Sequence, residues 1–190
     1  MKKGILFLLV TISCSSLVFA QANMTLQVGM QFPSGDFSQV AHNGLGGTAE
    51  IDFPQDQFLS LSASISYNYW GPYTAWYLGP SDSYTSLQVL AGLSYSLSLN
   101  KTHPYLGLSV GMNSLDFSRT TSYGTTSTIY EASETRFCIS PVAGIIVNIN
   151  STLDFNINLK YNASTSGKIN GITLPATFFG LNAGLQFKLY

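Results

Sequence analysis

From residue 24 to residue 189 the chain returns repeatedly to a strict two-residue alternation of apolar and polar side chains. Residues 153–162 show it most plainly. Leu153, Phe155, Ile157, Leu159 and Tyr161 alternate with Asp154, Asn156, Asn158, Lys160 and Asn162. Successive side chains of a β-strand point to opposite faces, so this pattern gives one apolar and one polar face, and a helix would need a period of 3.6 instead. The same alternation runs through 24–32, 45–53, 59–69, 84–97, 105–113, 136–148 and 178–189. Eight two-faced strands fit an all-β chain, and the length allows one domain.

The segments between the strands sort by length. Residues 33–44, 71–83, 114–134 and 163–177 are long connections, and 54–57, 98–104 and 149–152 are short ones, in strict alternation. Transmembrane barrels of the outer-membrane type have short turns on the periplasmic side and long loops outside. An even number of strands then puts both ends of the barrel in the periplasm. Composition decides which face meets what. Charged residues make up 9% of the chain, against about 25% in ordinary soluble domains. A surface of Ser, Asn, Gln, Thr and Gly with so few charges would solvate poorly. With the apolar face toward lipid and the small polar residues filling a narrow lumen, the same composition makes sense. After residue 20 no apolar run approaches the ~20 residues of a membrane helix. In lipid every backbone group must find a partner within the protein, so the sheet must close on itself. The expected fold is a closed eight-stranded antiparallel up-and-down transmembrane β-barrel over residues 21–190. Outward Tyr67, Tyr69, Tyr95, Tyr161 and Phe179 lie near strand ends, where aromatic girdles belong. The competing architecture is a soluble periplasmic or secreted eight-stranded barrel with its apolar face inside, holding an apolar ligand.

Residues 1–20 read as a cleaved export signal. Lys2 and Lys3 precede the apolar stretch Gly4 to Ile12, and Val18-Phe19-Ala20 suits cleavage before Gln21. Cys14 would leave with the signal, since the residues before it lack a lipobox leucine. Cys138 then remains as a small strand side chain with no disulfide partner. The mature chain holds six bases and nine acids, a net charge of −3, with no basic patch for nucleic acid.

Three further motifs carry a resemblance: Pro33-Ser34-Gly35-Asp36-Phe37 after the first strand, Pro104-Tyr105-Leu106-Gly107 at the fifth, and the terminal Leu185-Gln186-Phe187-Lys188-Leu189-Tyr190. With the strand pattern they resemble the small eight-stranded outer-membrane barrels of Gram-negative bacteria, of the OmpX and OmpA membrane-domain type. The resemblance implies a cell-envelope protein in contact with outer-membrane lipid and lipopolysaccharide. It also implies that the barrel-assembly machinery reads the C-terminal strand. Tyr190 falls out of phase with Leu185, Phe187 and Leu189, which shifts that signal by one residue.

An eight-stranded barrel has an interior that side chains just fill, so no open pore is expected. The inward charges are Glu50, Asp52, Arg136, Asp154, Lys160 and Lys188. Buried charges are costly unless paired. Strand direction puts Asp154, Lys188 and Asp52 near the periplasmic end, with an Asp154–Lys188 pair on neighbouring strands. Arg136 and Lys160 belong near the outer rim within reach of Glu134. Pro141 lacks the ladder donor its strand needs, which predicts a bulge or a broken ladder at 139–143.

Function is expected in the long connections. The β-propensity of 114–134, with a possible turn at Tyr123-Gly124, extends two strands as a hairpin above the membrane. An exposed edge there can add a strand from a surface protein partner. Tyr73, Trp76, Tyr77 and Tyr123 are loop contact candidates for a ligand or lipopolysaccharide sugars. An enzymatic reading, lipid A modification, would rest on His42, Asp82 and Ser83 at the outer rim; His103 falls in a periplasmic turn. No catalytic, cofactor or metal motif is present. The expected role is non-enzymatic: envelope structure or adhesion-like surface interaction.

Overall fold

The structure, a computed structural model, describes residues 22–71, 81–97, 101–123, 126–165, 167–169, 172–174 and 176–189. The chain forms β1 (Ala22–Ser34), β2 (Gly44–Pro54), β3 (Leu59–Trp70), β4 (Ser81–Ser96), β5 (Thr102–Tyr123), β6 (Thr126–Asn148), β7 (Leu153–Ser164), β8 (Gly167–Ile169), β9 (Ile172–Leu174) and β10 (Thr177–Leu189). Eight of these close into an antiparallel barrel in the order β1-β10-β7-β6-β5-β4-β3-β2, and β8 and β9 pair only with each other. The barrel seam runs from Ala22 opposite Leu189 to Ser34 opposite Thr177. The proposed export signal at 1–20 lies outside the described residues, as does Tyr190.

The apolar face points outward. Val28 is 72% exposed, Leu106 67% and Leu159 49%, while Gln27, Gln88, Asn113, Asn158 and Ser140 are buried in the lumen. This is the reverse of a soluble barrel, whose aliphatic side chains would fill its centre. A sheet with such an outer surface is stable only where hydrocarbon replaces water around it.

The strands extend further than the alternation alone indicates. The segment 114–134 is no loop: β5 and β6 stay paired from Thr102–Val147 to Tyr123–Thr126. Residues 163–177 contain the β8–β9 hairpin, and 33–44 contain a 3-10 turn over Gly35–Gln39. That turn starts at Gly35, where φ is +58°, a conformation that favours glycine.

Pro141 has the expected consequence. On the β5 side the ladder continues through Leu108–Pro141. Toward β7 it lapses at Ser140 and Pro141, between Ile139–Ala163 and Val142–Lys160, and resumes in the same register. The break is therefore a gap and not a bulge. Ser140 Oγ donates to Asn162 Oδ1 at 3.0 Å across it, so a side-chain hydrogen bond stands beside the missing backbone pairing.

Candidate functional site

The lumen divides into an aromatic outer end and a charged periplasmic end. At the outer end the inward register of several strands turns from polar to aromatic: Trp70 follows Asn68 on β3, Tyr84 precedes Ser86 on β4, and Phe178 precedes Gly180 on β10. With Leu115, Phe117, Ala41 and Ala176 they enclose Phe37, which the 3-10 turn carries back into the barrel mouth. Phe37 meets Trp70 edge-on at 5.1 Å and Tyr84 at 5.4 Å, and Trp70 meets Phe178 at 4.9 Å between ring centres. These are the edge-to-face geometries that aromatic rings prefer. The indole Nε1 of Trp70 is buried with no hydrogen-bond partner among the described residues.

Below this plug runs a chain of amides. Gln31 Nε2 donates to Asn182 Oδ1 at 3.1 Å, and Asn182 Nδ2 to Asn158 Oδ1 at 3.0 Å. Asn158 Nδ2 reaches Gln27 Oε1 at 3.2 Å and the Tyr105 hydroxyl at 3.1 Å, and that hydroxyl donates to Asn156 Oδ1 at 3.1 Å. Gly29 and Gly46 lie against Asn182 and Asn68, where a Cβ would collide with those side chains.

The periplasmic end holds a cavity of about 250 Å³, lined by residues including Glu50, Asp52, Asp154, Lys160 and Lys188, with Asp56 and Gln57 at its mouth. Lys188 Nζ lies 3.1 Å from Asp154 Oδ1, the pair expected on neighbouring strands, and Asn148 Nδ2 adds a hydrogen bond to the same oxygen at 2.9 Å. Asp52 is buried, with Gln186 Nε2 at 3.3 Å and Thr25 Oγ1 at 3.5 Å from its Oδ2. Arg136 stands near the outer rim and donates to Glu134 at 2.8 Å. Lys160 departs from expectation. It turns down the lumen, and its ion pair is with Glu50, 4.0 Å away across the barrel, not with Glu134 at the rim. Pairing rows climb obliquely around a tilted barrel, so residue counts misplace height, and a four-carbon stem reaches further still.

Outside the barrel the β5–β6 hairpin projects. β6 pairs with β7 only from Cys138 downward. Residues 126–137 thus form roughly 40 Å of strand at about 3.3 Å per residue with no ladder pairing on that side among the described residues, although β8 lies close to β6 without pairing to it. One backbone bond, Thr165 N to Phe137 O at 2.9 Å, closes the lower end of this edge. On its other side the hairpin is backed by β4 as far as Ser81–Thr120. The outward face changes character with height. Phe137 and Ile139 are exposed aliphatic and aromatic surface; above them Thr85, Asp116 and Ser133, then Ser83, Ser118 and Glu131, form two cross-strand rows lining a groove of about 480 Å³. That switch marks where hydrocarbon gives way to the polar surface of the membrane.

The rim residues of the enzymatic reading are placed as follows. Asp82 is held by Arg119 in a bidentate pair, 2.7 Å to each carboxylate oxygen, and the guanidinium also lies over Phe117. The paired Asp82 carboxylate raises the Arg119 pKa further. An Asp committed in this way is not available to orient an imidazole. Ser83 lines the outward groove, and His42 is exposed beside the plug residue Ala41. Tyr73, Trp76 and Tyr77 lie outside the described residues, as does the side chain of Tyr123, whose backbone pairs with Thr126. Among the described residues no group of His, Cys, Asp or Glu could hold a metal.

Of the expected girdle aromatics, Tyr67, Tyr69, Tyr95 and Phe179 are exposed on the outward face; sequence reasoning missed the plug, which other aromatics build. The available signal was an aromatic that keeps the phase of the polar face at a strand's outer end.

Comparison with known proteins gives three findings. A sequence model of the Opacity family of porin proteins matches residues 84–189, more than half of the chain. No curated protein sequence matches. Among solved structures the chain is similar to Neisserial surface protein A, with TM-score 0.61 and 16% identity over 89% of this chain and 97% of that one. It is similar to Ail, the attachment invasion locus protein of Yersinia pestis, with TM-score 0.55 and 14% identity over 89% and 98%. The outer membrane protease OmpT of Escherichia coli matches with TM-score 0.54 and 8% identity over 89% and 96%. At these identities the likeness is one of fold.

Proposed function

Because the chain belongs to the Opacity family of porin proteins and resides in the cell outer membrane, we propose that it is a non-enzymatic surface-interaction protein that docks partners on the edge of β6 that has no ladder pairing among the described residues. The observation that carries this reading is the stretch of β6 above Cys138 without a ladder partner among the described residues on its β7 side. Alternate residues there turn their N–H and C=O groups away from β5, and an extended segment of another protein can take them up as an added strand. Ile129 and Tyr130 near the tip are exposed, so the added strand also gains apolar contact.

Charge narrows the partner. The described outer rim carries Asp36, Asp82, Asp116, Glu131 and Glu134 against Arg119, Arg136 and Lys168. Both arginines already pair with carboxylates. The surplus is acidic and favours a neutral or basic segment. Ail has been solved with the heparin analogue sucrose octasulfate; the acidic rim here disfavours such a polyanion. In this reading the lower outward groove meets lipopolysaccharide, the C-terminal strand engages the assembly machinery, and the plugged lumen passes no solute.

The test replaces residues 118–131 with an Asn-Gly turn, which suits a two-residue hairpin, and measures adhesion of expressing cells to host-cell surfaces and to one another. Loss of adhesion with an intact, heat-modifiable barrel on a gel supports the reading. Unchanged adhesion contradicts it.

A further inference from the structure

The periplasmic cavity contains charged groups that the fold itself leaves unsatisfied. Lys160 is 5% exposed. An ammonium carries three donors, yet among the described residues Lys160 Nζ has no hydrogen bond, and its single ion pair, with Glu50 Oε2, stretches to 4.0 Å. Glu50 in turn accepts no hydrogen bond from a described side chain, and Asp52 stands two residues along the same strand face. Leaving a buried ammonium this loosely paired to a half-buried carboxylate is costly. Both groups line the same space of about 250 Å³, with the Tyr105 hydroxyl and the Asn156 and Asn158 amides beside them. The aromatic plug and the amide chain close the barrel above, and the mouth at Asp56 and Gln57 opens to the periplasm.

We propose that this cavity is a binding site for a small zwitterion bearing adjacent carboxylate and ammonium groups, of free amino-acid size, entering from the periplasm. The ligand carboxylate completes the shell of Lys160, and its ammonium sits between Glu50 and Asp52. Its dipole lies antiparallel to the Lys160–Glu50 dipole, so both strained charges gain partners at once. A lone cation would satisfy the carboxylates and repel Lys160; a lone anion would do the converse. The space is smaller than the usual 300–1,000 Å³ of drug-sized pockets, so a folded peptide is excluded. This site lies at the opposite end of the barrel from the β6 edge, and it stands or falls independently of adhesion.

The test uses the refolded barrel in detergent micelles, titrated with alanine and followed by NMR at the Asn156 and Asn158 amides. Two analogues serve as controls: N-acetylalanine, which lacks the ammonium, and alaninamide, which lacks the carboxylate. Saturable shifts with alanine, and binding weaker by about tenfold or more for each analogue, match the loss of one hydrogen bond to a charged group. Lys160→Met should reduce alanine binding similarly. Should that variant fail to fold, Glu50→Gln, at the more accessible partner, gives the same loss. Shifts that do not saturate, equal binding by either analogue, or undiminished binding in a folded Glu50→Gln barrel would overturn the proposal.

Discussion

The two ends of one lumen are built from the same faces of the same strands, yet they hold together by different means. On β3 the inward row runs Ser62, Ser64, Ser66, Asn68 and then Trp70; on β10 it runs Gln186, Gly184, Asn182, Gly180 and then Phe178. The outer end closes with aromatic rings, held mainly by edge-to-face packing. The periplasmic end keeps charges, and every charge there needs a partner in the protein, in water or in a ligand. The contrast follows from what each end faces. The outer end must be sealed under a hairpin exposed to the medium. The inner end opens to the periplasm and can afford to stay polar.

The comparison breaks most readily at the plug. Phe37→Ala removes the ring that Trp70 and Tyr84 enclose, and should cost about 3–5 kcal/mol in urea unfolding from lipid vesicles. If the charged end were the main source of stability, that variant would unfold close to wild type. At the charged end, Lys188→Met strands Asp154. Lys188 is partly exposed, with 28% of its side-chain surface accessible, so the cost should be smaller, about 1–2 kcal/mol after allowance for solvent screening. Trp70→Phe sharpens the contrast from the other side. It keeps a ring in the plug and removes the unpartnered indole N–H, so stability should hold or rise by up to about 1 kcal/mol; a loss as large as that of Phe37→Ala would show that the indole N–H has a partner after all.

The smallest effect belongs to the periplasmic turn. The Asp56 side chain accepts from the backbone N–H groups of Phe58 and Leu59, each at 2.7 Å, and these bonds hold its carboxyl below the usual carboxylate range. With the folded value depressed, its contribution is complete above the ordinary carboxylate pKa and is lost as pH falls through the lower folded value. Asp56→Asn should flatten that part of the stability–pH profile. An unchanged profile would show that the turn is set by the backbone alone.

Much of this was readable in advance, and the failures have physical reasons. Leu153 to Asn162 fixed faces and strand type because period two has no other reading, and the alternating connection lengths fixed the up-and-down topology. Pro141 announced its gap because it lacks an N–H. The part of Phe37 in the plug was not readable, because it enters from a connection and no strand periodicity describes a chain that turns back into the mouth. Lys160 was misplaced because strand tilt and a flexible stem separate where a residue sits from where its charge goes. The hairpin edge was foreshadowed by β-propensity in 114–134; that it has no ladder partner among the described residues depended on where β7 ends.

The account rests on the aliphatic face of the sheet touching hydrocarbon. The most direct measurement is the unfolding free energy in lipid vesicles of Leu159→Arg, in the middle of β7, beside Ile129→Arg on the projecting hairpin. Arginine facing lipid at the bilayer midplane costs about 2–4 kcal/mol, so Leu159→Arg should lose that much and Ile129→Arg almost nothing. Equal and negligible costs at both positions would contradict the account.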